Sequence, residues 1–496
     1  MNNAIKEYID QLIIEKRAFI NGTYVEAIDG TVINKVSSAD GRDLSGLSSC
    51  KAKDIDIAVL AAKKSFDSKI WCGKDPDEKK EILFVLANLM EKNSEELALL
   101  DTIETGRSFK NYFYDSIPKA IQALRYFAEC VDKYYDYAIP SRTNSFATIT
   151  REPLGVVGII TPWNDPLVVA TWKFAPALLM GNSIVLKPAE QSSFSILRVA
   201  KLAQEAGIPD GVFNVVTGFG EITGKALALH NDVAGIFFTG SSKVGKNIMQ
   251  YAGQSNMKKV GLECGGKSPF IVSKYCKKLE QAASVLAKNI FYNQGQICSA
   301  PSRAIVDIEI KDRFIELLKK ESENFIPSDP FDVNSEVGCV VSKEQELKIR
   351  DYIRIGIESG AKMITPGIIE HMNSEARFVM PTIFDGVKTE SIIAQEEIFG
   401  PVVVVISFND MNEAISIANN SRFGLAASIW TNDLDEAYQV SRGLRAGIVH
   451  VNCYGDDDNT APFGGVKESG TGKDKSIFAF DEYSYLKTTW INFNNI

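Results

Sequence analysis

Eight cysteines are spread through the 496 residues, and one of them, Cys298, stands where nucleophilic chemistry is feasible. It sits in FYNQGQICSA at a helix-to-loop junction, with Gly295 before it and small residues after it, so a carbonyl could approach the sulfur. The thiolate is the useful nucleophile, and local electrostatics govern its formation. Glu263 opens ECGGKSP at the end of a strand, where Gly265 and Gly266 permit close backbone approach. A carboxylate there could serve as general base toward water. Asn164, in TPWND, lies on a loop after a buried strand, and its side-chain amide could donate to an oxyanion. Each residue has a structural alternative when read singly. Free cysteine is among the most buried residue types, an acid commonly ends a strand at the surface, and Asn-Asp-Pro forms turns.

Other segments could hold a nucleotide. FTGSSKVG (238–245) places Gly240 and Gly245 across a strand-to-helix turn that begins with Ser241. Unpaired N–H groups at such a helix start suit a pyrophosphate. The spacing is GxxxxG rather than GxGxxG, so an ordinary strand turn fits equally well. Lys187 and Glu190, in LKPAE, follow the preceding strand. A carboxylate there could hold ribose hydroxyls and repel a 2′-phosphate, or belong to a solvated loop. Glu397 and Phe399, in QEEIFGPV, are uninformative alone. With only His230, His371 and His450 and no CxxC pair, chemistry built on a histidine base is poorly supplied, and no metal site is expected.

The elements that must position these residues follow from the pattern. A hairpin over 19–25 turns at Asn21-Gly22, a type I′ signal. Helical periodicity follows at 54–66, 79–94 and 117–134. Short unalternating Val/Ile/Leu/Phe runs then alternate with helices. Strands are expected at 156–160, 183–186, 213–216 and 235–238 and in KKVGLE, with helices from about 167 to 181, up to Gly207, and over 221–229 and 243–252. Strands without alternation are buried on both faces, as in a parallel sheet covered by helices. This is an α/β, doubly wound nucleotide-binding pattern. A second series over about 263–470 has strands at 304–310, 402–406, 426–430 and 447–452 and helices at 311–325, 342–359 and 433–444. Residues 483–492 alternate like a strand with no evident partner, which suggests an edge or intersubunit strand.

Composition bounds the rest. A single core stops growing near ~250–300 residues, so two or more domains are expected. The net charge is −9 with no basic cluster, which argues against a nucleic-acid partner. The first 25 residues lack the features of a signal peptide, and no run reaches the ~18 apolar residues of a membrane span. The run 167–181 is broken by Lys173 and Pro176. Widely spread cysteines point to a reducing compartment, the cytoplasm being the simplest.

Taken together, TPWN, LKPAE, FTGSSKVG, ECGGKSP, FYNQGQICSA, QEEIFGPV and PFGGVKESGTGKD, in this order, resemble the aldehyde dehydrogenase superfamily over essentially the whole chain. The resemblance implies a Rossmann-like NAD(P)-binding domain (1–133 and 152–262), an α/β catalytic domain (263–476) and a small bridging sheet (134–151 and 477–496) that builds homodimers or homotetramers. It implies that Cys298 is the nucleophile and Glu263 the general base. Asn164 and the Cys298 N–H would be the oxyanion donors. Trp163, Lys187, Glu190, Ser241, Glu397 and Phe399 would be cofactor contacts, and Gly240 and Gly245 the pyrophosphate turn. Glu190 favours NAD, with NADP also used by some relatives. The general base implies hydrolysis rather than transfer to coenzyme A. A non-enzymatic protein on this fold would be expected to lack the nucleophile or the base, and both are present.

Two departures bear on the substrate. Asp165 stands where many relatives carry an aromatic, and Asp456, Asp457 and Asp458 lie in the segment that matches the family's substrate-anchor loop. Four carboxylates near a channel mouth would attract a cation, with Trp172, Tyr292 and Phe463 as aromatic walls. The chain looks closest to γ-glutamyl-γ-aminobutyraldehyde and related aminoaldehyde dehydrogenases of polyamine catabolism. A γ-glutamyl group would bring a carboxylate that three aspartates would not welcome unaided. Simpler ω-aminoaldehydes, guanidinobutyraldehyde, betaine aldehyde and plain aliphatic aldehydes stay open. The Asp run also reads as a solvated loop.

Overall fold

The computed structural model describes residue 9 and residues 11–365, 377–455 and 457–493; Asp456 and His371 lie outside the described residues. Two seven-stranded sheets carry the architecture. The first runs, in spatial order, Lys259–Glu263, Gly235–Thr239, Val156–Ile160, Ser183–Lys187, Phe213–Val215, Ala18–Ile20 and Thr23–Val25. Its first five strands are parallel, and the last two form the antiparallel hairpin. Asn21 and Gly22 adopt φ of 51° and 78°, as a type I′ turn requires.

The path of the chain decides where a ligand fits. From the central strand Val156–Ile160 the chain moves outward through two strands, then crosses back to place Gly235–Thr239 on the other flank. The winding direction therefore reverses between these two strands. A crevice opens beyond their carboxyl ends, where such sheets bind ligands. The segments leaving those ends are 161–165 and 239–241, with Glu263 beside them through its register with Thr239.

The second sheet is ordered Lys362–Met363, Thr382–Asp385, Val402–Phe408, Arg303–Asp307, Pro269–Val272, Ala426–Trp430 and Ile448–Val451. The strands Val402–Phe408, Arg303–Asp307, Pro269–Val272 and Ala426–Trp430 are almost wholly buried, which explains their apolar runs. The connection from Glu263 into Pro269–Val272 joins the two sheets, and ECGGKS forms that connection.

Several expectations are revised. The strand expected to reach residue 310 ends at Asp307, whose carboxylate accepts the Glu309 N–H at 3.0 Å and turns the chain into the helix Lys311–Ser322. Residues 221–229 are not one regular helix but a π-turn, Gly220–Gly224, feeding Lys225–Leu229. The helix from Ile117 ends at Cys130 and tightens through Val131–Lys133. The tail strand Ser484–Asn492 does have a partner within the chain. It pairs along its whole length with Ser145–Pro153, which also pairs with Tyr137–Ile139. Apart from Ser484, its residues are exposed. Among the described residues, no helix is long and apolar enough to cross a membrane.

Candidate active site

Cys298 follows the helix Leu279–Phe291 and a left-handed turn in which Asn293, Gln294 and Gly295 all have positive φ (49°, 55° and 67°). Two non-glycine residues in this region are costly unless the surroundings fix them, and here they are fixed. Gln294 accepts the Val379 N–H at 2.9 Å, and Gln296 accepts the Val341 N–H at 3.0 Å. A Cβ on Gly295 would lie 2.1 Å from the Gly400 carbonyl, so only glycine fits. The Tyr454 hydroxyl donates to the carbonyl of Ser299. The sulfur-bearing loop is thus held from three sides.

Asn164 is bound into the same loop. Its amide donates to the Gln296 carbonyl at 3.0 Å, and the Asn293 amide returns a bond to the Asn164 carbonyl at 3.2 Å. An amide has two N–H donors, so one stays available for an oxyanion. Gly266 comes up against the other side, where a Cβ would sit 2.7 Å from the Cys298 carbonyl. Burial, with Glu397 and, when ionised, Glu263 adding to it, pushes the Cys298 thiol up to about 12. At rest this sulfur holds its proton.

Glu263 is buried, and neither carboxyl oxygen has a hydrogen-bond partner among the described residues. Burial, then the charge of Asp474, holds this carboxyl well above the usual range. Its Oε1 lies against Gly464, where a Cβ would come within 2.5 Å. Beside it is a buried ion pair, Lys173 to Asp474, with contacts of 2.8 and 3.0 Å. A buried, unpartnered carboxylic acid next to a lysine–aspartate pair is poised to take up or release a proton.

The crevice has the makings of a dinucleotide site. Lys187 bridges to the Glu190 carboxylate at 3.0 Å. Lys35, which the sequence pattern does not single out, donates to the Glu190 carbonyl at 2.8 Å and pairs with Glu104, whose carboxylate accepts the Ser193 and Phe194 N–H groups. Ser241 caps the helix Ser242–Gln254. Gly240 and Gly245 are small because they pack tightly: a Cβ on Gly240 would strike the Phe238 ring, and one on Gly245 would lie 2.8 Å from the Cys264 sulfur. Trp163 and Phe399 meet edge to face at 5.3 Å, and Glu397 accepts the Gly266 N–H at 3.1 Å. The Thr161 and Thr239 hydroxyls, at the two strand ends flanking the crevice, are buried without a partner among the described residues. Orphaned polar atoms beside a capped helix start fit a polar, phosphate-bearing cofactor.

The acidic residues are less exposed as charges than their number suggests. Asp165 pairs at 3.2 Å with Arg107, a buried guanidinium that also donates to the Tyr292 hydroxyl at 2.7 Å and lies 3.6 Å from Asp115. Its plane lies 4.9 Å from the rings of both Tyr112 and Tyr292. Tyr292 is therefore engaged by Arg107 and Asp115. Asp457 contacts His450 at 2.8 Å, and Asp458 accepts from both the N–H and hydroxyl of Thr460. Three of the four carboxylates, Asp165, Asp457 and Asp458, thus already have partners, and Asp456 lies outside the described residues. Trp172 and Phe463 do meet, at 5.5 Å. Arg107 and the Lys173–Asp474 pair are missed by sequence reasoning, although a lone lysine in an apolar helix was a usable signal for the latter.

Residues 24–489 match the aldehyde dehydrogenase family. The chain is 44% identical over 481 residues to the NADP/NAD-dependent aldehyde dehydrogenase PuuC of Escherichia coli (strain K12), covering 97% of this chain and 96% of that protein. It superposes on a crystal structure of gamma-glutamyl-gamma-aminobutyraldehyde dehydrogenase from Burkholderia cenocepacia J2315 with a TM-score of 0.97, at 45% identity and 99% coverage of both chains. An indole-3-acetaldehyde dehydrogenase variant, AldA of P. syringae, solved with NAD+, also gives a TM-score of 0.97, at 45% identity over 98% of this chain and 99% of that one. This chain belongs to the aldehyde dehydrogenase family, and it is an NAD(P)-dependent enzyme that oxidises small-molecule aldehydes.

Proposed function

We propose that Cys298 carries the acyl group as a thioester that Glu263 hydrolyses, and that the physiological substrate is an ω-aminoaldehyde. The observation that carries the mechanism is the convergence of a thiol, an amide donor and an unpartnered carboxyl group where the connection between the two sheets meets the crevice. Cys298, once its proton has passed to water, adds through sulfur to the aldehyde carbon, and the carbonyl electron pair moves to oxygen. The oxyanion that forms is met by Asn164 Nδ2 and the Cys298 N–H, each such donor being worth about 3–4 kcal/mol to the transition state. Lys187, Glu190 and the Ser241 helix start would hold NAD(P), which would supply the acceptor for the hydride that leaves the former aldehyde carbon as the thioester forms. Glu263, once ionised, takes a proton from water as the water oxygen attacks the thioester carbon. The acid leaves and the sulfur is released. Asp474 and Lys173 set when Glu263 can ionise.

The aminoaldehyde reading is supported by Asp457 and Asp458, whose charges reach Lys475 over the Trp172 ring, and by the likeness to the Burkholderia cenocepacia enzyme. Neutralisation of Asp165 by Arg107 favours a second reading, a neutral aldehyde, which the likeness to the indole-3-acetaldehyde enzyme also supports. The test is kcat/KM with 4-aminobutyraldehyde and with butyraldehyde, on wild type and on Asp457→Asn. A strong preference for the amine, eroded by the substitution, supports the first reading. Equal rates in both proteins support the second. The exposed tail strand, with Tyr485, Leu486, Trp490 and Ile491 open to solvent, supports assembly as a homodimer or homotetramer, which light scattering on the eluting protein would show as two or four chain masses.

A further inference from the structure

Lys475 is a buried lysine, 4% exposed, for which the mechanism has no use. Its backbone and that of Ser476 both take left-handed φ, 61° and 53°. Two adjacent side-chain-bearing residues in that region are held there against their preference. The hold is visible: Phe463 and Asp474 exchange N–H bonds with each other's carbonyls at 2.7 and 2.8 Å, and the Ser476 N–H donates to the Asn459 carbonyl at 2.9 Å. The result aims the Lys475 ammonium at the Trp172 face, 5.7 Å from the ring centroid. Trp172 is the ring that meets Phe463, next to the glycine against which Glu263 rests.

An ammonium has three N–H donors. Among the described residues Lys475 makes no hydrogen bond and no ion pair within 4 Å. The acids around it are turned to other partners: Asp457 to His450, Asp458 to Thr460 and Asp474 to Lys173. Asp457 and Asp458 are within electrostatic reach but not in contact, and Lys119 is the further cation facing the group. A buried cation on an aromatic face, without close partners among the described residues, is arranged to accept an anion.

Resting on the reading of Trp172 and Phe463 as the substrate wall, we propose that Lys475 is a specificity-determining residue that receives a carboxylate carried by the substrate at the end far from its aldehyde. Where the substrate also carries an ammonium, the acids of the 457–458 turn lie beside it. The far end of the best substrate is then a paired charge rather than a bare cation.

Three four-carbon aldehydes test this: 4-oxobutanoate, 4-aminobutyraldehyde and butyraldehyde, with NAD in excess, on wild type, Lys475→Met and Lys475→Arg. The proposal expects Lys475→Met to raise KM for 4-oxobutanoate by about ten- to a hundredfold with kcat little changed, the loss of a charged hydrogen bond in binding. Butyraldehyde should stay within about twofold, and Lys475→Arg should recover most of the loss. An unmoved KM for 4-oxobutanoate in Lys475→Met overturns the proposal. So does an equal rise for all three aldehydes, which marks a merely structural lysine. The aminoaldehyde reading is judged separately, on the wild-type ratio of 4-aminobutyraldehyde to butyraldehyde.

Discussion

Replacing Arg107 by alanine should damage both stability and turnover, although this residue is not one of the reacting groups. The guanidinium is 3% exposed and contacts Asp165, Asp115 and the Tyr292 hydroxyl while lying between two tyrosine rings. Removing one partner of a buried charge pair costs about 3–5 kcal/mol. Asp115 keeps Lys119 at 2.8 Å, and Asp165 is 27% exposed, so the lower end of that range, about 3 kcal/mol, is the better figure. The melting temperature should fall by roughly 3 °C, from an unfolding entropy of about 1 kcal/mol/K for a chain of this length. Asp165 adjoins Asn164, and Tyr292 leads into the loop of Cys298, so kcat with butyraldehyde should fall by about tenfold or more as the oxyanion donor drifts. Lys at this position keeps the charge but loses the planar fork and the ring stacking, and should recover less than half of the loss. Thermal melting and steady-state NADH production measure the two effects. An Arg107→Ala enzyme that melts within about 1 °C of wild type and keeps its kcat would refute the claim that this cluster holds the site.

Four further outcomes follow. Burial holds both Cys298 and Glu263 protonated; each must lose its proton to act, so kcat/KM should rise from neutral to alkaline pH, and a flat profile would contradict the assignment. Asp474 is the charge that adds to burial in keeping Glu263 protonated, so in Asp474→Asn the rising limb of kcat should move to lower pH, while loss of the partner of buried Lys173 destabilises the fold by about 3–5 kcal/mol. Gly295→Ala forces a Cβ to 2.1 Å from the Gly400 carbonyl and should abolish activity, or the soluble fold, by displacing the loop of Cys298. Glu190→Gln should narrow the preference for NAD over NADP, read from the ratio of the two KM values, and an unchanged ratio would remove Glu190 from ribose recognition.

The parallel strands were legible in the sequence because burial on both faces leaves an uninterrupted apolar run, as in Val156–Ile160 and Ala426–Trp430, where the expected bounds match. Element ends were less legible where a side chain intervenes locally, as Asp307 does by turning the chain before residue 310. The pairing of the tail with Ser145–Pro153 was hidden because its exposed positions carry no burial signal and its partner lies far away in sequence. The segments around Cys298 and Glu263 stood out by their small neighbours, and Asn164 by its place on a loop after a buried strand. Their partners did not, because Arg107 and Lys475 are ordinary charged residues in the sequence. Only the fold shows that both are buried, and that Asp165 is already answered by a cation.

The chemistry proposed for the site turns on a thioester on Cys298 that Glu263 resolves. Glu263→Gln mixed with NAD and aldehyde, quenched in acid and digested for mass spectrometry, tests it most directly. One NADH per active site should form in a burst, with the acyl mass on the peptide bearing Cys298. Full turnover by Glu263→Gln, or an acyl mass on any other residue, would contradict it.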